Sequence, residues 1–189
     1  RMRRAHRSAS GTENEKGRRV VNMTSIKRLL LATDFSDWAR RAEDYATALA
    51  TSWRASLTVI TVLEFPPGMN PEYAINKQYL TDRMSDASPR LAEFKHGAYA
   101  RGIAVTTRIA TGMPSEEIIA AALAEEADLV IVGTRGKSGL AHVLLGSPAE
   151  RVIRMAPCPV LAAHTLKEES LTGKGISLDR ILVPTDFSE

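Results

Sequence analysis

The sequence predicts an α/β fold, a doubly wound five-stranded parallel sheet in a three-layer sandwich, and three observations carry that expectation. Short apolar, β-branched runs alternate with longer amphipathic stretches, the succession that βαβ units require. The run Leu129-Val130-Ile131-Val132 has the length and branching of a strand buried on both faces. Directly behind it lies Gly133-Thr134-Arg135-Gly136, then nine residues, then Gly146-Ser147, so the glycines fall where a strand gives way to a loop.

Taken in order, the first strand is expected over 28–33 and the first helix over 37–52. In that helix Ala42, Ala46, Leu49, Ala50 and Trp53 share one stripe and make Trp53 a core or core-edge residue. A second strand covers 56–63. The stretch 64–76, with Pro66, Pro67, Gly68 and Pro71, reads as a loop. A helix over 86–101 is entered or kinked at Ser88-Pro89 and turns Leu91, Phe94 and Ala98 inward, with 76–85 as its extension. Then follow a strand at 103–109, a helix at 115–126 behind Gly112 and Pro114, a strand at 128–133, a helix at 148–155 and a strand at 159–163. Right-handed crossovers stack these elements into three layers.

A chain of 189 residues suffices for one such domain and a little more. Its formal charge of +3 hides an asymmetry: residues 1–22 carry seven basic groups against Glu13 and Glu15, leaving the rest mildly acidic. That arm has no aromatic residues for base stacking and no apolar face for a lipid surface, which argues against nucleic-acid and membrane partners. It reads as a disordered leader, or as sequence upstream of a start at Met23. No run approaches the ~18 apolar residues of a membrane span, and the expectation is a soluble, cytoplasmic protein. The single cysteine, Cys158, excludes an intramolecular disulfide and reads as a buried structural thiol. His6, His96, His142 and His164 are scattered without metal-ligand spacing.

Glycine after a strand admits positive φ and lets backbone N–H groups approach an anion with no Cβ in the way, and phosphate is the natural occupant. Ser147-Pro148-Ala149-Glu150 reads as a helix start, with a capping serine, a first-position proline and a glutamate three residues on. The loop thus returns to the positive end of a helix dipole. Gly136-Lys137-Ser138 is not a Walker P-loop, because that motif needs glycine at 131, where Ile131 stands.

The pattern G-x2-G-x9-G-[ST], complete at Gly133, Gly136, Gly146 and Ser147, resembles the nucleotide-binding signature of the universal stress protein family. The likeness continues in Leu29 to Ser36, Gly112 to Ile118 and Pro157 to Leu161, and so covers about residues 26–165. The resemblance implies the strand order 3-2-1-4-5, hence a crevice between strands 1 and 4 where ligands of open α/β sheets bind. It implies adenosine contacts at Ala32, Thr33, Asp34, Val62, Val132 and Gly133, and phosphate contacts at Arg135, Gly136, Gly146, Ser147 and the position of Pro148. Ala32 replaces a common proline. Pro148 removes one backbone donor, and the guanidinium of Arg135 is positioned to compensate. The ionised Asp34 carboxylate only accepts hydrogen bonds and suits a ribose hydroxyl or an adenine-side donor, while Ser36 and Asp37 remain to cap the first helix.

The implied ligand is ATP or AMP, with magnesium accompanying the nucleotide. No residue is assigned a catalytic role. Phosphoryl transfer asks for metal carboxylates, and beside the loop there is none before Glu150. The expectation is therefore a stress-response binding and sensing module that acts through a homodimer or a partner. Two other readings stand: a dimeric interaction module with an empty site, for which Pro148 speaks, and a slow ATP hydrolase. The edge strand Val160 to Ala163 is the expected dimer seam.

One internal repeat shapes the domain plan. Arg28 to Asp37 recurs as Arg180 to Glu189 with six of ten residues identical. The expected organisation is a basic arm at 1–22, a universal stress protein domain at 23–166, a linker at 167–179 and the opening of a second repeat at 180–189.

Overall fold

The computed structural model describes residues 26–64, 74–134 and 146–164. The basic arm, the proposed linker and the second repeat lie outside them, as do Arg135, Gly136 and His142. The elements are β1 (Arg28–Ala32), α1 (Arg40–Trp53), β2 (Ser56–Leu63), α2 (Ala74–Tyr99), β3 (Val105–Thr111), α3 (Pro114–Ala124), β4 (Leu129–Gly133), α4 (Ser147–Met155) and β5 (Val160–Ala163). All strand pairs are parallel and the order is β3-β2-β1-β4-β5, as the sequence analysis expects.

Alternation along β1 explains how the two faces of the sheet are filled. Leu29 and Leu31 enter one core with Ala42, Ala46 and Leu49 of α1 and Leu91 and Ala98 of α2, while Leu30 enters the other with Ile118 of α3 and Val152 of α4. Leu30, Leu31, Val59, Val130, Ile131 and Val152 are fully buried. The central strands β1 and β4 are therefore apolar on both sides, which is why their sequences run unbroken, whereas β3 exposes Thr106 and Arg108.

At the amino-terminal edge of the sheet, Asp128 Oδ2 accepts the N–H groups of Lys27 and Arg28 at 2.9 and 3.0 Å. The Arg28 guanidinium reaches Glu126 at 2.7 Å and Asp128 at 3.4 Å. One buried carboxylate thus fixes the start of β1 against the start of β4. Burial pushes the Asp128 carboxyl upward, but the two amides and Arg28 outweigh it and hold the group below its ordinary range.

The helix expected over 86–101, with 76–85 as its extension, is α2, which runs unbroken from Ala74 through Pro89 to Tyr99. Proline forfeits one helical hydrogen bond, and the burial of Asn76, Ala87, Leu91 and Ala98 along one face holds the helix together despite that loss. Three other expectations are corrected. Helix α1 starts at Arg40, with Ala39 in the cap position and no side chain capping it, so neither Ser36 nor Asp37 has the expected role. Residues 34–39 are used instead in a turn in which the Ala39 N–H donates to the Ser36 carbonyl and Asp37 pairs with Arg40 on the surface. Helix α4 begins one residue early, at Ser147, with extended Gly146 as its cap and no side-chain capping bond. The third strand is also shifted, by two residues, to Val105–Thr111.

Trp53 packs, half-buried, against the core, and Cys158 is buried. No helix among the described residues is long and apolar enough to cross a membrane.

Candidate functional site

Beyond the carboxyl ends of the adjacent strands β1 and β4 opens a cavity of about 590 Å³. That size suits a small organic ligand. Its floor is the ends of three strands: Ala32 with Thr33 and Asp34, Val62, and Val132 with Gly133. Pro148 and Ala149 close it from the first turn of α4. Six of the expected contact residues, together with Pro148, therefore line one space. Gly146 and Ser147 sit beside it, immediately ahead of Pro148.

The polar groups at the floor are tightly committed. Thr33 Oγ1 donates to Glu43 Oε1 at 2.6 Å and accepts the Phe35 N–H at 2.9 Å. The Thr33 N–H donates to the Ile60 carbonyl, and Thr61 Oγ1 donates to the Thr33 carbonyl at 2.6 Å. Thr33 is thus a brace of the β1 terminus. Asp34 Oδ1 accepts the Ser36 N–H at 2.9 Å, an Asx turn that aims the half-buried carboxylate along the cavity wall. Phe35 occupies the left-handed region at φ 56°, unusual for an aromatic residue. Thr33 holds it from its N–H side and Arg90 Nη1 from its carbonyl, at 3.3 Å.

Glu43 is mostly shielded from water. Burial raises its carboxyl above the ordinary value, with Asp44 and Asp34 adding to the rise and Thr33 and Arg40 opposing it.

At the other end, the Gly146 N–H donates to the Thr134 carbonyl at 2.7 Å and is not available to a ligand. The first helical bond of α4 runs from the Glu150 N–H to the Gly146 carbonyl. Ahead of it lie the amides of Ser147 and Ala149, the class of N–H groups a helix leaves without internal partners, with Pro148 contributing none. A Cβ on Gly146 would stand 3.4 Å from the Thr134 carbonyl oxygen, ordinary van der Waals contact. Thr134 Oγ1 and His164 Nδ1 lie 3.0 Å apart and tie the start of the glycine stretch to the end of β5.

Sequence reasoning missed the contribution of α2. Tyr79, Arg83, Asp86, Ala87 and Arg90 line the cavity from the face opposite α4. The signal is their helical spacing at 79, 83, 87 and 90, along the helix and its extension ahead of Pro89. Glu43, ten residues from Thr33, was likewise unmarked, since nothing in an amphipathic helix singles out one carboxylate.

An open parallel sheet whose switch point carries a cavity, a carboxylate and a helix amino terminus defines the class: a doubly wound α/β domain. The chain belongs to the universal stress protein family, whose family model matches residues 25–164. A universal stress protein of Methanocaldococcus jannaschii is 35% identical over 147 residues, covering 76% of this chain and 85% of that protein. The structure of the universal stress protein UspA from Lactobacillus plantarum shares the fold, with a TM-score of 0.66 and 24% identity over 74% of this chain and 98% of that one. A universal stress protein solved in complex with cAMP has a TM-score of 0.56 and 28% identity, covering 74% of this chain and 97% of that one.

Proposed function

We propose that this chain is an adenine-nucleotide-binding stress-response module, taking ATP or AMP at the crevice between β1 and β4. One observation carries the reading: Ala32, Thr33, Asp34, Val62, Val132, Gly133 and Pro148, residues scattered over four elements, line a single cavity of about 590 Å³. The cAMP complex of a relative supports the ligand class. In this reading the base and ribose rest against Val62, Val132 and Asp34. The 5′ phosphates face the amides of Ser147 and Ala149, where the dipole of α4 favours negative charge. Arg135, Gly136, Gly146 and Ser147 complete the phosphate end, and magnesium accompanies the phosphates rather than being held by protein carboxylates.

Signalling in this reading passes through contacts to a second copy or a partner, in the cytoplasm. The most direct test releases bound nucleotide from freshly purified, heat-denatured protein and identifies it by mass spectrometry, followed by calorimetric titration of the emptied protein with ATP, AMP and adenosine. Failure of all three to bind would leave the same fold as an interaction module with an empty site, the reading that the missing donor at Pro148 favours.

A further inference from the structure

Two guanidinium groups face the cavity from α2, and their circumstances differ. Arg90 is exposed and donates to the Phe35 carbonyl, so its place is in holding the left-handed turn behind Asp34. Arg83, two turns away on the same helix face and half-buried, makes no ion pair among the described residues. A guanidinium partly withdrawn from water without a counter-charge is a strong, geometrically demanding receptor for an oxyanion.

The position of Arg83 makes it distinct from the phosphate end already described. Helix α2 packs on the sheet face that α1 also covers, whereas α3 and α4 cover the other. Arg83 therefore approaches the cavity from across the sheet edge, opposite the amides that open α4. The charges around it are Asp34 on the β1 turn and, at the exposed rim, Glu64 and Asp86. The two rim carboxylates are bathed in solvent, which screens them, while Asp34 accepts the Ser36 amide.

We propose that Arg83 is a specificity-determining residue, and that the cavity takes adenine nucleotides carrying a second phosphate on the ribose, at the 2′ or 3′ position, in addition to the 5′ phosphate. This rests on the nucleotide reading above and deepens it. The 5′ phosphate meets the start of α4, one ribose hydroxyl donates to Asp34, and the ribose phosphate meets the Arg83 fork.

The test compares AMP with adenosine 3′,5′-bisphosphate and adenosine 2′,5′-bisphosphate by calorimetry on the full chain emptied of nucleotide. In the parent protein at least one bisphosphate is expected to bind about tenfold more tightly than AMP, the worth of one charge-assisted bond. In Arg83→Ala that ratio should fall to about one, and in Arg83→Lys, which keeps the charge but not the fork, it should lie between. A circular-dichroism melt of each variant confirms that it is folded. Equal binding of AMP and both bisphosphates by the parent, or a ratio that survives in folded Arg83→Ala, overturns the inference and leaves AMP binding standing. If the parent binds none of the three, the nucleotide reading itself falls, and this inference with it.

Discussion

Thr33 Oγ1 donates a hydrogen bond of 2.6 Å to Glu43 Oε1, joining the last residue of the β1 terminus to the first turn of α1 directly beneath the cavity. The same oxygen accepts the Phe35 amide, so one threonine sets both the helix that follows and the turn that carries Asp34. Replacing it with the isosteric valine removes both bonds and leaves Glu43 facing an apolar group. Thr33→Val is expected to destabilise the fold by about 1–2 kcal/mol, read from urea denaturation at constant m-value.

Glu43 gives a pH dependence of definite sign. Its folded-state pKa is raised by burial, so the folded protein holds the proton more tightly than the unfolded chain does. Stability from this group is therefore present at acid pH and is lost as pH rises through its unfolded and then its folded value. Glu43→Gln keeps the acceptor for Thr33 and removes the charge. The variant should be more stable than the parent at pH 7, and the difference should shrink as pH falls into the carboxylate range; chemical denaturation at a series of pH values checks this.

Asp128 carries the opposite sign. Its folded pKa is lowered by the Lys27 and Arg28 amides and the Arg28 guanidinium despite burial, so its contribution is present above the unfolded carboxylate value and is lost as pH falls through the folded one. Asp128→Asn should cost about 1–3 kcal/mol at neutral pH, the penalty for weakening acceptors to two amides that β1 cannot otherwise satisfy. Against the Glu43 variant, the stability difference from the parent should again narrow in acid, but from the destabilised side.

Asp34 and Gly146 test the ligand site from its two ends. Asp34→Ala is expected to weaken adenosine and AMP alike, by about tenfold, because it acts on the nucleoside. Gly146→Ala should leave the melting curve nearly unchanged, since Gly146 has φ −71° and its added Cβ makes only ordinary contacts. It should nevertheless weaken AMP more than adenosine, because the methyl group intrudes where a phosphate would approach the α4 amides. Equal losses for both ligands would move the phosphate away from α4.

Strand β5 forms an outer edge of the sheet, with Val160, Leu161 and Ala162 only half-buried, the condition in which an apolar strand seeks a partner. Homodimerisation through this edge is expected to be lost in Leu161→Lys, measured by light scattering. A dimer of unchanged mass would locate the interface elsewhere.

The strand composition and the punctuation between elements determined the fold class, because burying a parallel sheet on both faces demands continuous branched apolar runs that nothing else in a chain of this kind produces. The glycine spacing after Val132 did not need backbone freedom at its described positions: Gly133 ends β4 and Gly146 precedes α4 at φ −71°, while Gly136 lies outside the described residues. Local signals failed where a tertiary gain outweighed them. Pro89 reads as an entry or a kink, yet burial of Ala87 and Leu91 carries α2 through it unbroken, and only the packing of its first half brings Tyr79 and Arg83 to the cavity wall. The cap of α1 was misassigned because Ser36, Asp37 and Asp34 offer equivalent oxygens in sequence, and only the left-handed turn at Phe35 decides which amide each can reach. The partnership of Thr33 with Glu43 was invisible for a related reason. A hydrogen bond between a strand end and a helix depends on how the two pack, and that is fixed by the core on the far side of both.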